Sequence, residues 1–264
     1  MDTATIIEME LSYKRSFANV KPQDWGYLFW NDQNPAHWDA NHAWVLRQPD
    51  DYQTVRETVE TFFGKRGGIP RFYMFDAKST AGFNAYLEEA GYHSETAVDP
   101  VQVWNGTLVD VAQDINVAIE LVTSNNYQDA MYVECGITEF GGREVRETAF
   151  ELEFRNSSYR HFLLKFNGAP AGIACIFEHG ANARVESVAV LKAHRGHGLV
   201  NLLLRRIQEE AKAKRYTSLW VFPVSETVER VYQRCGFTTI GKLESAHVYQ
   251  SGPGIKEVTG RGDS

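Results

Sequence analysis

A segment of this chain recurs 145 residues further on, and that recurrence limits the folds open to it more than any other feature. Asn84-Ala85-Tyr86-Leu87-Glu88-Glu89-Ala90-Gly91-Tyr92 aligns with Glu229-Arg230-Val231-Tyr232-Gln233-Arg234-Cys235-Gly236-Phe237. At the same offset Val101, Val103 and Trp104 match Ala246, Val248 and Tyr249. Each copy reads as a short helix, a glycine stop, a strand, a turn, and a second strand ending in an aromatic ring. In the second copy Val228, Val231, Tyr232 and Cys235 fall on one helical face. Ser225 is a capping residue, and Gly236 can take the left-handed conformation that closes a helix. Two such units with matched flanks indicate two related domains.

A chain of 264 residues has room for two domains of about 130 residues, each with its own core. Asn105-Gly106 is a turn signal after the strand-like Val101–Trp104, which puts the expected boundary within 105–116. The expected division is residues 1–110, residues 116–251, and a Gly- and Ser-rich tail over 252–264. The tail ends in Arg261-Gly262-Asp263-Ser264, which looks like an adhesion-receptor-binding tetrapeptide and is read as a chance match.

Strands are expected at Val117–Val122, Tyr159–Phe166, Ala171–Phe177, Ala183–Val190 and Ser218–Phe222, with Asn167-Gly168 as a hairpin turn. A helix is expected over Leu199–Lys214, with Leu199, Leu203, Ile207 and Ala211 turned inward. The first half has a similar plan, with a helix at Tyr52–Phe63, a strand at Arg71–Phe75 and a helix at Phe83–Gly91. Helices covering sheets make an α/β fold, α+β in some schemes.

Composition excludes several classes. The net charge of -7 argues against a nucleic-acid surface and mildly favours a cationic acceptor. Cys135, Cys175 and Cys235 stand far apart with no CxxC pair, so neither a disulfide framework nor a structural zinc is expected, and no His/Cys/Asp cluster has metal-ligand spacing. Cys175 and Cys235 are expected in the core. With no signal-peptide pattern and no apolar run of about 18 residues, the expectation is a cytoplasmic protein that spans no membrane. No self-association motif is readable, so the oligomeric state stays open.

The stretch that carries chemistry is the strand Ala183–Val190, then Leu191-Lys192-Ala193-His194, then Arg195-Gly196-His197-Gly198-Leu199-Val200 opening the helix. Backbone N–H groups at a helix start are unpaired and can hold a pyrophosphate. Gly196 and Gly198 let phosphates approach the backbone, and Arg195 adds positive charge. The pattern is neither the GxGxxG of dinucleotide sites nor a nucleoside-triphosphate loop.

Arg195 to Val200 resembles the acetyl-CoA loop of the GCN5-related N-acetyltransferase (GNAT) superfamily, Arg/Gln-x-x-Gly-x-Gly/Ala. It departs at the sixth position, where Val200 replaces a small residue. The helix from Ser225 to Gly236-Phe237, with Tyr232, is similar to that superfamily's second signature, while Ser225 and Val228 depart from it. The resemblance implies two GNAT-like domains, each a mostly antiparallel mixed sheet flanked by helices. It implies direct acetyl transfer from acetyl-CoA, the cosubstrate, to a primary amine on a small molecule or peptide, with no metal.

Under that resemblance Val188, Ala189 and Val190 would orient the pantetheine and thioester. Arg195, Gly196, His197, Gly198, Leu199, Val200 and Ser225 would frame the rest of the cofactor. Tyr232 would give a proton to the departing thiolate, although a helix-face tyrosine is also a common packing residue. Glu186 is a candidate base, with a buried structural partner or an acceptor-binding carboxylate as the other readings. His194 and His197 can touch phosphate or simply lie exposed in the turn. In the first copy Leu87 stands where Tyr232 does, and Asp50 with Asp51 replaces the basic loop, so a degenerate domain without cofactor chemistry is implied. Asn31, Asn34, His37, Trp38, Asn41, His42 and Trp44 can form an acceptor-pocket wall or a packed aromatic cluster. A non-catalytic acetyl-CoA sensor or interaction protein remains the alternative.

Overall fold

The computed structural model describes residues 3–258, so Arg261–Ser264 lie outside the described residues. In chain order the elements are α1 (Thr3–Arg15), β1 (Asn19–Gln23), β2 (Gly26–Trp30), β3 (His42–Val45), α2 (Tyr52–Gly64), β4 (Arg71–Met74), α3 (Ala81–Glu89) and β5 (His93–Trp104). There follow β6 (Val117–Leu121), α4 (Tyr127–Gly136), α5 (Gly142–Arg155), β7 (Tyr159–Phe166), β8 (Ala169–His179), β9 (Asn182–Val190) and α6 (Leu199–Lys214). The chain continues through β10 (Ser218–Val221), α7 (Glu226–Arg234), β11 (Phe237–Tyr249) and α8 (Ile255–Val258). Short 3-10 turns lie at Trp38–Ala40, Thr138–Phe140 and Lys192–His194.

The chain forms two compact units, and their limits differ from the expected 1–110 and 116–251. Among the described residues the larger unit comprises residues 3–9 and Pro100–Lys242, the smaller Glu10–Asp99 and residues 243–258. The reason lies in the two long strands. The turn expected between the two strands of each copy does not form, and β5 and β11 run unbroken for 12 and 13 residues. Their first and last residues therefore belong to different units. The end of β5 pairs with β10 at Val103↔Trp220 and Gln102↔Val221, and the end of β11 pairs with β4 from Ala246↔Met74 to Tyr249↔Arg71.

In the larger unit β6, β7, β8 and β9 are successive antiparallel neighbours, and β10 joins β9 in parallel. The β7–β8 hairpin closes through Asn167 and Gly168, both left-handed at φ 52° and 78°, as a two-residue hairpin turn demands. Alternation along these strands separates two cores. Phe162, Leu164, Ala174, Ile176, Ala183 and Val185 face Leu199, Leu203, Leu204, Ile207 and Ala211 of α6. Leu163 and Ile173 face Ala130 and Val133 of α4 and Phe150 of α5. Full burial of each such side chain contributes about 1.5–3 kcal/mol, enough to fix the strand register.

The smaller unit pairs β1, β2 and β3 antiparallel, β3 with β4 in parallel, and β4 with β11 antiparallel. Val55, Val59 and Phe63 of α2 and Phe83 and Leu87 of α3 pack on Ala43, Val45, Phe72, Met74, Ala246 and Val248. The 145-residue offset carries α3 onto α7 residue for residue, and β3, α2 and β4 onto β9, α6 and β10 within a few residues. The expected frayed tail is tethered where it is described: Arg71 Nη2 donates to Pro253 O at 2.7 Å, and Lys256 N donates to Glu95 Oε2 at 3.1 Å. Ile255 is buried.

Candidate functional site

Strand β9 is regular where it pairs with β10 and irregular beyond. The β9–β10 register runs from Asn182↔Ser218 to Arg184↔Trp220 and goes no further. Against β8, Glu186 faces Cys175 but Ala189 faces Ile173, so β9 carries one residue more than its partner across that interval. Ser187 takes a left-handed φ of 52° there, the mark of a β-bulge. The bulge turns Val188 toward the α6 core and Ala189 toward the α4 core. Val190 is buried. The strand end thus stands apart from β10, with backbone groups that a ligand can pair.

Past β9, Lys192–His194 form the 3-10 turn and Arg195 is extended at φ -71° and ψ 157°. Gly196 and Gly198 are left-handed at φ 87° and 70°, and a Cβ at either would meet nothing within 4 Å. The glycines are required by backbone angle, not by crowding. Gly198 is the cap residue of α6 with no side-chain cap hydrogen bond, so the helix presents its first N–H groups to the exposed turn. Leu199 is buried and anchors the first turn, and Val200 packs against the same core. His197 lies 5.1 Å from the Phe166 ring and His194 6.1 Å from it.

Arg195 is not a free cation. Its Nε donates to Val190 O at 3.0 Å and its Nη2 to Glu139 Oε1 at 2.8 Å. The side chain therefore staples the strand end to the turn and ties both to the segment between α4 and α5. A half-exposed pair of this kind is worth roughly 0–1 kcal/mol, so a phosphate can displace Glu139 readily.

Tyr232 is buried on α7, edge-on to Phe237 with centroids 5.2 Å apart. Burial pushes its phenol well above the ordinary range, so the hydroxyl stays protonated. Ser225 accepts from Val228 N at 3.3 Å and caps α7. Glu186 pairs with Arg184, whose guanidinium lies 4.7 Å over the Phe222 ring and is lowered to about 9 by burial. Glu186 therefore stands on β9 as the partner of a buried cation. Cys175 and Cys235 are both buried and Cys135 is half-buried. Among the described residues no group of three His, Cys, Asp or Glu side chains could hold a metal ion.

One set of charged residues was not anticipated. Glu134 of α4, Arg146 and Glu153 of α5 and His161 of β7 are all buried and bonded together. The signal was present in the spacing: Arg146 and Glu153 stand seven residues apart, on the same face of α5 as the apolar Ala149 and Phe150.

In the smaller unit, Asp51 caps α2, accepting from Thr54 N at 3.0 Å and Thr54 Oγ1 at 2.7 Å. A carboxylate thus occupies the helix start where the larger unit has open glycines. Leu87 is fully buried at the position of Tyr232. Of the Asn- and aromatic-rich stretch, Asn31 and Asn41 brace the backbone of the 31–41 loop. Trp44 and His42 pack among rings.

The sequence pattern of the Acetyltransferase (GNAT) family matches residues 124–237. A search of curated proteins finds no significant match. Among solved structures, a GCN5-related N-acetyltransferase from Kribbella flavida is 20% identical with a TM-score of 0.69, covering 96% of each chain. A functionally unknown conserved protein from Staphylococcus epidermidis is 15% identical with a TM-score of 0.72, covering 88% of this chain and 93% of its own. A GCN5-related N-acetyltransferase-like protein from Streptococcus suis is 14% identical with a TM-score of 0.58, covering 93% of this chain and 92% of its own. At these identities the likeness is one of fold.

Proposed function

We propose that the larger unit, in which residues 124–237 match the Acetyltransferase (GNAT) family, binds acetyl-CoA and transfers its acetyl group directly to a primary amine. The observation that carries this reading is the end of β9: a bulged strand, unpaired with β10 beyond Arg184, leading into a left-handed glycine turn at the start of α6. The pantetheine pairs with the backbone of Val188–Val190 as an added strand. The pyrophosphate sits on the N–H groups from Gly196 to Val200, where the helix dipole favours negative charge. Tyr232, kept protonated by burial, supplies the proton that the thiolate needs. The smaller unit holds no cofactor, because Asp51 already caps its corresponding helix and a second carboxylate, Asp50, adjoins it.

Calorimetric titration of the full chain with acetyl-CoA tests this reading, with one molecule bound per chain as the expected result. Arg195→Glu is expected to weaken binding at least about tenfold, because it loses the Val190 staple and places a negative charge beside the pyrophosphate. Two equivalent sites, or unchanged affinity in the folded variant, would remove the loop from its assigned role. One observation favours a non-catalytic acetyl-CoA sensor: Glu186, the carboxylate on β9, is already engaged by Arg184. An acetyl-transfer assay against amino acids, polyamines, aminoglycosides and peptide N-termini separates the two, since only the enzyme yields an acetylated product.

A further inference from the structure

Acetylating an ammonium group requires that a proton be taken from nitrogen, and the α4–α5 side of the larger unit holds a carboxylate suited to it. Glu134 is fully buried; its Oε2 receives Arg146 Nε at 3.0 Å, while Oε1 accepts no hydrogen bond. Arg146 turns its two terminal nitrogens to Glu153, Nη1 to Oε1 and Nη2 to Oε2, each at 3.0 Å. His161 Nε2 lies 3.1 Å from Glu153 Oε2. One guanidinium therefore serves two carboxylates. Glu134 Oε1 is left without a partner, and that oxygen is where a cation would be received.

The position fits the reaction. Two residues beyond Glu134, Gly136 is so close to Leu191 that a Cβ there would stand 2.6 Å from Leu191 Cδ2. Val133 and Ile137 pack in one cluster with Ala189 and Leu191. Glu134 thus lies within one helical turn of residues that touch the end of β9.

We propose that Glu134 is the acceptor-side base: its unpaired oxygen takes the ammonium of the acceptor and then a proton from it. This rests on the acetyltransferase reading given above. In the step, an N–H bond of the ammonium breaks and its proton passes to Glu134 Oε1. The freed nitrogen lone pair forms a C–N bond to the thioester carbonyl carbon. The C–S bond breaks with its electron pair left on sulfur, and the thiolate takes the phenolic proton of Tyr232. The second N–H proton leaves to solvent, Glu134 discharges its own, and Tyr232 recovers one, so one proton is released per turnover. The groups facing Glu134 are Arg146 and Glu153 of α5, His161 of β7 and Cys175 of β8. Burial raises the Glu134 carboxyl despite Arg146, which makes it a stronger base, while Arg146 and His161 overcome burial and hold Glu153 down at about 2.

The test uses the full chain with n-butylamine as the probe acceptor. Glu134→Gln is expected to bind acetyl-CoA within about twofold of the wild type and to lose roughly 10²-fold in kcat at neutral pH. Its rate should recover as pH approaches the amine's own ionisation, where solution supplies free amine. A pH profile parallel to that of the wild type overturns the proposal, because a purely structural role lowers the rate without reshaping the curve. A second readout needs neither turnover nor the variant. Infrared difference spectra of the wild type should show a buried carboxylate band that shifts when n-butylamine binds. A carboxyl signal that is absent, or indifferent to the amine, overturns the proposal as well. Failure of the wild type to bind acetyl-CoA is a different result and counts against the acetyltransferase reading itself.

Discussion

At the scale of single residues, burial decides what each ionisable group can do. Tyr232 has the same ring packing whether or not its hydroxyl reacts, so Tyr232→Phe isolates the proton. The variant should keep acetyl-CoA affinity and lose roughly 10²-fold in kcat. A packing role predicts near-normal turnover, and an acceptor-binding role predicts a higher acceptor KM. Glu10 in the smaller unit offers a test of stability. Its carboxyl lies among Lys14, Asp39 and Asp99, and burial raises it from 4.5 to about 7. The folded state then binds more protons than the unfolded state between those values. The contribution is fully present below pH 4.5 and lost as pH rises through 7, by up to about 3 kcal/mol. Glu10→Gln should remove that loss, raising the melting temperature at pH 8 with little change at pH 4. Equal shifts at both values would discard the assignment. Asp39 acts in the opposite sense: held down at about 2 by Lys14, it loses its contribution only in strong acid.

At the scale of elements, the turn between β9 and α6 depends on two backbone angles. Gly198 sits at φ 70° with open space around its Cα. Gly198→Ala therefore meets strain rather than collision, about 1–2 kcal/mol. Thermal unfolding should register a loss of that size, together with weaker acetyl-CoA binding as the N–H groups of the first turn are reoriented. A variant that melts and binds like the wild type would show that the turn adapts at no cost. Ser225→Ala removes the cap of α7, and a loss of about 1 kcal/mol is expected in the same experiment. The sequence made α6 and α7 legible because their caps, glycines and apolar periods agree. It hid α4 and α5, whose inward faces include Glu134, Arg146 and Glu153 beside apolar residues. Charged side chains at core positions blur the period on which such reading depends.

At the scale of the whole molecule, the exchange of strand ends makes each unit incomplete without a piece from the far part of the chain. Residues 116–251 lack Gln102 and Val103, the partners of β10, and residues 1–110 lack the β11 residues that pair with β4. Fragments cut at the apparent linker should therefore each unfold or aggregate when expressed alone. Mixed together, they should recover a cooperative transition if those pairings re-form. A stable isolated 116–251 fragment that binds acetyl-CoA like the full chain would show that the β5 contribution is dispensable.

The sequence by itself determined the local parts. The glycine turn, the α7 cap, the 145-residue repeat and the replacement of Tyr232 by Leu87 are properties of short segments, set by backbone angles and periodicity. Only the tertiary structure decided what those parts face. Arg195, expected at the phosphate, turns back to Val190 and Glu139, and Glu186 meets Arg184. Glu134 is buried against Arg146 from a helix that no motif marks, and β5 and β11 run through the turns expected of them. In each case the partner is distant in sequence or the choice is made by pairing across a sheet. The energy that fixes such a contact comes from burial and hydrogen bonding between segments, which no local pattern encodes.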